Sequence, residues 1–177
     1  MKRAVFLDRD GVLNPSEEAD GRLRAPLSLE AFRPFPWAAE AVSRLRAAGF
    51  LCLVVTNQPE VGTGELTPET LEAMHERLRR EVPVDDVYVC PHSDADRCPC
   101  RKPRPGLLLR AAAEWGVDLG ASFLVGDRWR DVEAGRAAGC VTILVEGPES
   151  GQATADYRVA DLREAVTTIL NLTGGER

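Results

Sequence analysis

Long hydrophobic runs are missing from this 177-residue chain. The longest, such as Leu51–Val55, fall far short of the ~20 residues that carry a helix across a bilayer, so no membrane association is expected. Aromatic residues make up only 6%, there are two histidines, and acidic side chains outnumber basic ones to give a formal charge of −6. Such a chain lacks the overall positive field that gathers nucleic acid or anionic lipid. The opening MKRAVFLDRDG meets Asp8 after four apolar residues. That is too short for the apolar region of a signal peptide and reads as a first strand. The five cysteines are odd in number and three lie within residues 90–100, which favours metal over a disulfide framework. What remains, 44% hydrophobic and 28% charged, is the balance of a globular protein. The expectation is one cytoplasmic domain over residues 1–177, with a monomer as the default.

Five apolar runs stand out: Ala4–Leu7, Leu51–Val55, Val87–Val89, Phe123–Val125 and Val141–Val145. They do not alternate with polar residues, which suits strands buried on both faces. Helical periodicity fills the gaps over Trp37–Ala48, Pro105–Trp115, Arg130–Ala138 and Leu162–Leu172, and a further helix follows Thr67 as N-cap and Pro68 as first helical residue. Alternation of this kind implies right-handed crossovers and a parallel sheet covered by helices on both faces. Pro15–Pro36 is the one long irregular piece and reads as a functional flap.

Ligands of such sheets bind beyond the carboxyl ends of the strands, where strand order reverses. Asp8, Thr56 and Asp127 end three of the runs. Two carboxylates brought together there repel unless a cation separates them or one is protonated, and Mg²⁺ bound through oxygen resolves the conflict beside a phosphate. In FLDRDG, Asp8 is placed to attack phosphorus, and Asp10, two residues on, to protonate the leaving oxygen and then deprotonate water. In VVTNQ, Thr56 is placed to hold phosphate oxygens and Asn57 to orient substrate. In CRKPRPG, Arg101 and Lys102 can neutralise a phosphoryl group. In VGDRWRD, Asp127 is the candidate metal ligand, and Asp131 is either its support or an ordinary first-turn acid. Each motif alone also fits a solvated polar turn, and only their order points to one crevice.

Cys90-Pro-His92 and Cys98-Pro-Cys100 form two two-pronged clips. Four such ligands suit a closed tetrahedral Zn²⁺ site, structural because no position stays open. Cys52 and Cys140 read as small buried residues, and His75 as a surface or packing histidine.

The four motifs in this order resemble the haloacid dehalogenase (HAD) superfamily of phosphatases. The resemblance implies a three-layer α/β/α Rossmann-like fold, and no segment of this chain is long enough for a separate cap domain. It implies Asp8 as nucleophile, Asp10 as general acid/base, Mg²⁺ held by Asp8, Asp127 and the Asp10 carbonyl, and Thr56 and Lys102 on phosphate. The Cys-x-His…Cys-x-Cys loop before Arg101 and Lys102 is similar to the subfamily containing heptose-bisphosphate and histidinol-phosphate phosphatases. There the residues matching Asn57, Arg101 and Lys102 contact substrate, and Arg128 stands where the heptose enzymes often have lysine. The expected function is therefore a Mg²⁺-dependent phosphomonoesterase acting on D-glycero-D-manno-heptose 1,7-bisphosphate, releasing the 7-phosphate, or on a related sugar phosphate. Histidinol phosphate is the alternative substrate. A nucleic-acid end phosphatase and a phospho-acceptor receiver domain are the competing readings.

Overall fold

The computed structural model describes residues 1–174. Its order is β1 (Arg3–Leu7), β2 (Glu17–Ala19), β3 (Arg22–Arg24), α1 (Ala38–Ala47), β4 (Phe50–Asn57), α2 (Pro59–Thr63), α3 (Pro68–Glu81) and β5 (Asp86–Cys90). Then come α4 (Gly106–Trp115), β6 (Phe123–Gly126), α5 (Trp129–Ala138), β7 (Val141–Val145), β8 (Tyr157–Val159) and α6 (Leu162–Thr173). Six strands form one parallel sheet in the order β5-β4-β1-β6-β7-β8.

The central strand shows why the chain folds this way. Successive side chains of a strand point to opposite faces, and β1 is apolar on both. Val5 and Leu7 join a core with α1, α3 and α6, whereas Ala4 and Phe6 join a second core with α4 and α5. Two cores separated by one sheet make the three-layer α/β/α architecture expected from the sequence. Local signals set the helix ends. The Thr67 hydroxyl accepts the Thr70 N–H at 3.1 Å to start α3, and Gly139, at φ +85°, stops α5 in a left-handed turn that side chains disfavour.

The sheet order decides where chemistry can occur. Chain connections run one way from β1 to β4 and β5, and the other way from β6 to β7 and β8. The reversal therefore falls between β1 and β6, whose carboxyl ends carry Asp8 and Asp127.

Three elements depart from expectation. The flap over residues 15–36 is not wholly irregular, because β2 and β3 pair as an antiparallel hairpin. Its turn is Asp20-Gly21, both with positive φ (52° and 71°), which is the type I′ signature of a tight hairpin. The sixth strand, β8, is three residues long with two exposed, too short and polar to register as an apolar run. The helix α2 occupies what reads as a polar loop after the Thr56 strand.

Candidate active site

Asp8 follows β1 and is held by backbone on both sides. Its own N–H donates to the Val125 carbonyl at 2.9 Å, and the Arg9 N–H donates to Asp8 Oδ1 at 2.8 Å. Asp127 follows β6 and Asp131 lies in the first turn of α5. Carboxylate oxygens of Asp8, Asp127 and Asp131 all fall within 4.8 Å of one another, and all three residues are buried. Sharp local geometry makes this possible. A Cβ on Gly126 would lie 2.1 Å from Asp131 Cβ, and one on Gly11 would lie 2.1 Å from Asp127 Oδ2. Gly11 also sits at φ +89°, so the chain turns under Asp127 only because no side chain is there.

Three buried carboxylates need cations, and Lys102 supplies one. Its Nζ contacts Asp131 Oδ1 at 2.6 Å and Asp8 Oδ1 at 2.9 Å, and donates to the Val55 carbonyl at 2.9 Å. Burial works against its charge, but Asp131 and Asp8 outweigh burial and hold the ammonium above the ordinary lysine value. One cation does not satisfy the cluster. Burial, then the charge of Asp131, pushes Asp8 up to about 6 despite Lys102. Burial, then Asp8, pushes Asp127 up to about 8. Asp127 Oδ1 is buried without a hydrogen-bond partner among the described residues, and Arg128 Nε, at 3.9 Å, is too far to donate. This is the electrostatic signature of a site built for a divalent cation.

Asp10 has the opposite environment. Burial would raise it, but Arg9 and the donated hydrogen bonds overcome burial and hold it below the usual carboxylate range. Arg9 forks onto it through Nε at 3.2 Å and Nη2 at 3.0 Å, Asn14 Nδ2 donates at 2.9 Å and Gln58 Nε2 at 2.8 Å.

The other expected residues divide. Asn57 clamps the Lys102 backbone at both ends, accepting its N–H and donating to its carbonyl, each at 3.1 Å. Thr56 is fully buried and its hydroxyl accepts from Gln58 Nε2 at 2.9 Å. Asn57, Arg101, Lys102 and Arg128 line the cavity above Asp8 and Asp10, together with Arg24, Arg130 and Glu60. The sequence reading missed Arg9, Gln58, Arg24 and Arg130. Arg9 sits inside the DRDG motif itself, but no pattern shows that a charged residue between two aspartates is wholly buried.

Cys90, His92, Cys98 and Cys100 also converge. Cys100 Sγ lies 3.0 Å from Cys90 Sγ, 3.5 Å from Cys98 Sγ and 3.4 Å from His92 Nδ1. A tetrahedral zinc with Zn–S near 2.3 Å puts its sulfurs about 3.8 Å apart, so the four groups nearly span the required cage. All five cysteines are free, with Cys52 and Cys140 buried in the apolar cores as expected. Burial works against the Cys98 thiolate, but the Arg101 N–H donated to Cys98 Sγ at 3.3 Å leads the interactions that hold it down at about 7. Burial raises Cys90 and Cys100, so without a metal the cluster holds its negative charge at Cys98. Asp94 then ties this loop to the site, accepting from Arg101 Nε at 2.9 Å and from both terminal nitrogens of Arg130.

A family model described as HAD-hydrolase-like matches residues 99–171. The chain is 40% identical over 152 residues to the D-glycero-beta-D-manno-heptose-1,7-bisphosphate 7-phosphatase of Pseudomonas aeruginosa, covering 82% of this chain and 83% of that protein. The chain belongs to the HAD-like phosphatases. The phosphatase is also 38% identical over 158 residues to the enzyme of the same name from Rhodopseudomonas palustris, covering 82% and 84% of the two chains. Among solved structures it resembles the D,D-heptose 1,7-bisphosphate phosphatase of B. bronchiseptica, crystallised with magnesium and phosphate. The TM-score is 0.84 at 30% identity, covering 96% of this chain and 99% of that one.

The residues of the carboxylate cluster fit a metal on their own chemistry. The orphaned Asp127 oxygen and the raised Asp8 and Asp127 values fit an oxygen-liganded divalent cation. Asp131 differs, because Lys102 occupies Oδ1 and the Arg128 N–H, at 3.1 Å, occupies Oδ2. Its carboxylate anchors Lys102 and α5. His75 is buried, so of its two expected settings it takes the packing one. Among the described residues no helix is long and apolar enough to cross a membrane.

Proposed function

We propose that this phosphatase hydrolyses D-glycero-beta-D-manno-heptose 1,7-bisphosphate at the 7-phosphate, by way of an aspartyl-phosphate on Asp8. The observation that carries the chemistry is the cluster of Asp8, Asp127 and Asp131 around Lys102 at the reversal of strand order. The substrate rests on the relatives' names and on the cavity wall. Arg24, Arg101, Arg128 and Arg130 all line it, and Arg24 Nε is buried without a partner. Asp94 pairs with Arg101 and Arg130, and Glu149 with Arg128 at 3.0 Å, which orients three guanidiniums on the wall. With Arg24 they suit a substrate that carries a second anion beyond the reacting phosphoryl group.

Asp8 Oδ1 is engaged by Lys102 and the Arg9 N–H, which fixes the carboxylate for attack on phosphorus. The Asp8–phosphorus bond forms as the ester bond breaks. Asp10, which the donors of Arg9, Asn14 and Gln58 hold ionised at rest, acts as acid only in the fraction that has first taken a proton from water, and passes that proton to the leaving oxygen. Asp10 then takes a proton from water, the water oxygen attacks phosphorus, and phosphate leaves with Asp8 restored. Lys102 balances charge on the phosphoryl oxygens, with Thr56 on the same group. Mg²⁺ held by Asp8, Asp127 and the Asp10 carbonyl supplies charge neutralisation and alignment of phosphate. Zn²⁺ on Cys90, His92, Cys98 and Cys100 fixes the loop that presents Arg101 and Lys102. The enzyme acts in the cytoplasm as a monomer, with residues 15–36 as flap and 90–100 as zinc loop of one domain.

The test is a comparison of kcat/KM on heptose bisphosphate and histidinol phosphate, with EDTA and Mg²⁺ arms. A preference of about tenfold or more for the heptose ester, abolished by EDTA and restored by Mg²⁺, is expected. Equal or reversed preference overturns the substrate, and full activity of Asp8→Asn overturns the nucleophile.

A further inference from the structure

The Arg9 guanidinium is completely shut off from solvent, an unusual place for a side chain that stays charged. Two of its nitrogens grip the Asp10 carboxylate, and its Cζ lies 5.1 Å from the centroid of the Phe32 ring. The remaining nitrogen, Nη1, contacts His75 Nε2 at 3.1 Å and, among the described residues, has only Met74 Sδ, at 4.0 Å, as a further acceptor. Arginine donates and never accepts, so His75 Nε2 must present its lone pair and carry its proton on Nδ1. A second proton on the ring would set N–H against N–H. His75 is itself buried, on the inner face of α3. Burial, then the charges of Arg9 and Arg79, pushes it down to about 3, overcoming the opposing pull of Asp10.

We propose that His75 is a positioning residue of the phosphatase reaction, an acceptor at Nε2 that fixes Arg9 so that Arg9 in turn fixes the Asp10 carboxyl. This rests on the assignment of Asp10 as general acid. In the first half-reaction the Asp8–phosphorus bond forms, the phosphorus–oxygen ester bond breaks, and the Asp10 proton moves to the leaving oxygen to give the alcohol. Arg9 and Asp10 are neighbours in sequence, and a guanidinium on so long a stem can swing away unless its far end is tied down. His75, on a helix inserted between β4 and β5, is the tie. Without it Arg9 still neutralises Asp10, and Asn14 and Gln58 still hold the carboxyl oxygens, but the guanidinium loses its fixed orientation, the carboxyl is held less tightly, and proton delivery suffers more than binding.

The experiment reads leaving-group dependence. An alkyl phosphate needs its leaving oxygen protonated, whereas p-nitrophenyl phosphate expels a stable phenolate without help. kcat/KM reports the steps up to aspartyl-phosphate formation and so isolates the acid role. For His75→Leu we expect kcat/KM on the best alkyl phosphate substrate to fall about tenfold, with most of the loss in kcat, and on the aryl ester to fall less than about twofold. His75→Gln, which restores a neutral acceptor, returns the alkyl value to within about twofold of the starting enzyme. Equal losses on both esters, no loss on either, or a glutamine variant no better than leucine overturns the proposal. Thermal melts accompany each variant. If His75→Leu does not fold, His75→Asn, whose shorter amide falls short of Arg9, carries the comparison with an expected loss of about fivefold confined to the alkyl ester. Asp10→Asn separates the role of His75 from that of Asp10. Leaving-group dependence in Asp10→Asn but not in the His75 variants sinks the role of His75 alone, and its absence in Asp10→Asn sinks the acid assignment and this proposal together.

Discussion

At the scale of single residues, the site is defined by how two aspartates two positions apart are treated differently. Asp10 is surrounded by donors and held below the usual carboxylate range, whereas Asp8 shares buried space with Asp127 and Asp131 and is held up. This has a consequence for stability. Asp127, raised from 3.8 to about 8, and Asp8, raised to about 6, keep more protons on the folded protein than on the unfolded chain. Metal-free stability therefore falls as pH rises from about 4 to about 8. A divalent cation replaces those protons, so the rise in melting temperature on adding Mg²⁺ is larger at pH 8 than at pH 6. A shift independent of pH, read from melts in matched buffers, would contradict the site. Gly11→Ala is a second residue-scale test. The new methyl group meets Asp127 Oδ2 and the backbone sits at φ +89°, so activity falls by about 10²-fold or more with weakened Mg²⁺ binding in titration. The DRDG aspartates, Lys102 and the cysteine clips were legible in sequence because their chemistry is written in residue type and spacing. Arg9, Gln58 and Arg24 were not, because their importance comes from burial and aim.

At the scale of elements, the loop between β5 and α4 performs two tasks. It gathers four soft ligands and, within two residues, delivers Arg101 and Lys102 to the cavity. Asp94 of the same loop holds Arg101 and Arg130 together, so loop order reaches α5 as well. Metal analysis should find about one zinc per chain on the four-ligand pattern. Removing it with a strong chelator, followed by readdition of Mg²⁺ alone, should lower the melting temperature and raise KM. An unchanged KM in zinc-free protein would detach the loop from substrate binding. The element boundaries themselves were largely readable, since the apolar runs, the Thr67 cap and the stop at Gly139 are local signals. The β2–β3 hairpin was readable too, in Asp20-Gly21, and was hidden by the prolines around it. β8 lacked any strong local signal, because it is recruited by pairing with β7.

For the whole molecule, the sheet is the scaffold on which separated stretches of chain meet. Phe6 is fully buried at its centre, and Phe6→Ala should cost about 3–5 kcal/mol in denaturant melts. That is a large fraction of the roughly 5–15 kcal/mol that a domain has in hand. Ligands act at the same scale. Mg²⁺ present at about 100 times its dissociation constant should stabilise the fold by about 2.7 kcal/mol.

The amino-acid sequence alone determined the alternation of buried strands with amphipathic helices, and with it the parallel three-layer fold. It also determined which residue types are available at strand ends and in the cysteine loop. These are matters of periodicity and local chemistry, which act over a few residues. Only the tertiary structure decided that Asp131 anchors Lys102, that Asn57 clamps the Lys102 backbone, and that Arg9 lies buried between Asp10 and His75. Those contacts join residues up to 66 positions apart. Their energies depend on burial and on which charges share a low-dielectric space, quantities that exist only once the chain has closed around them.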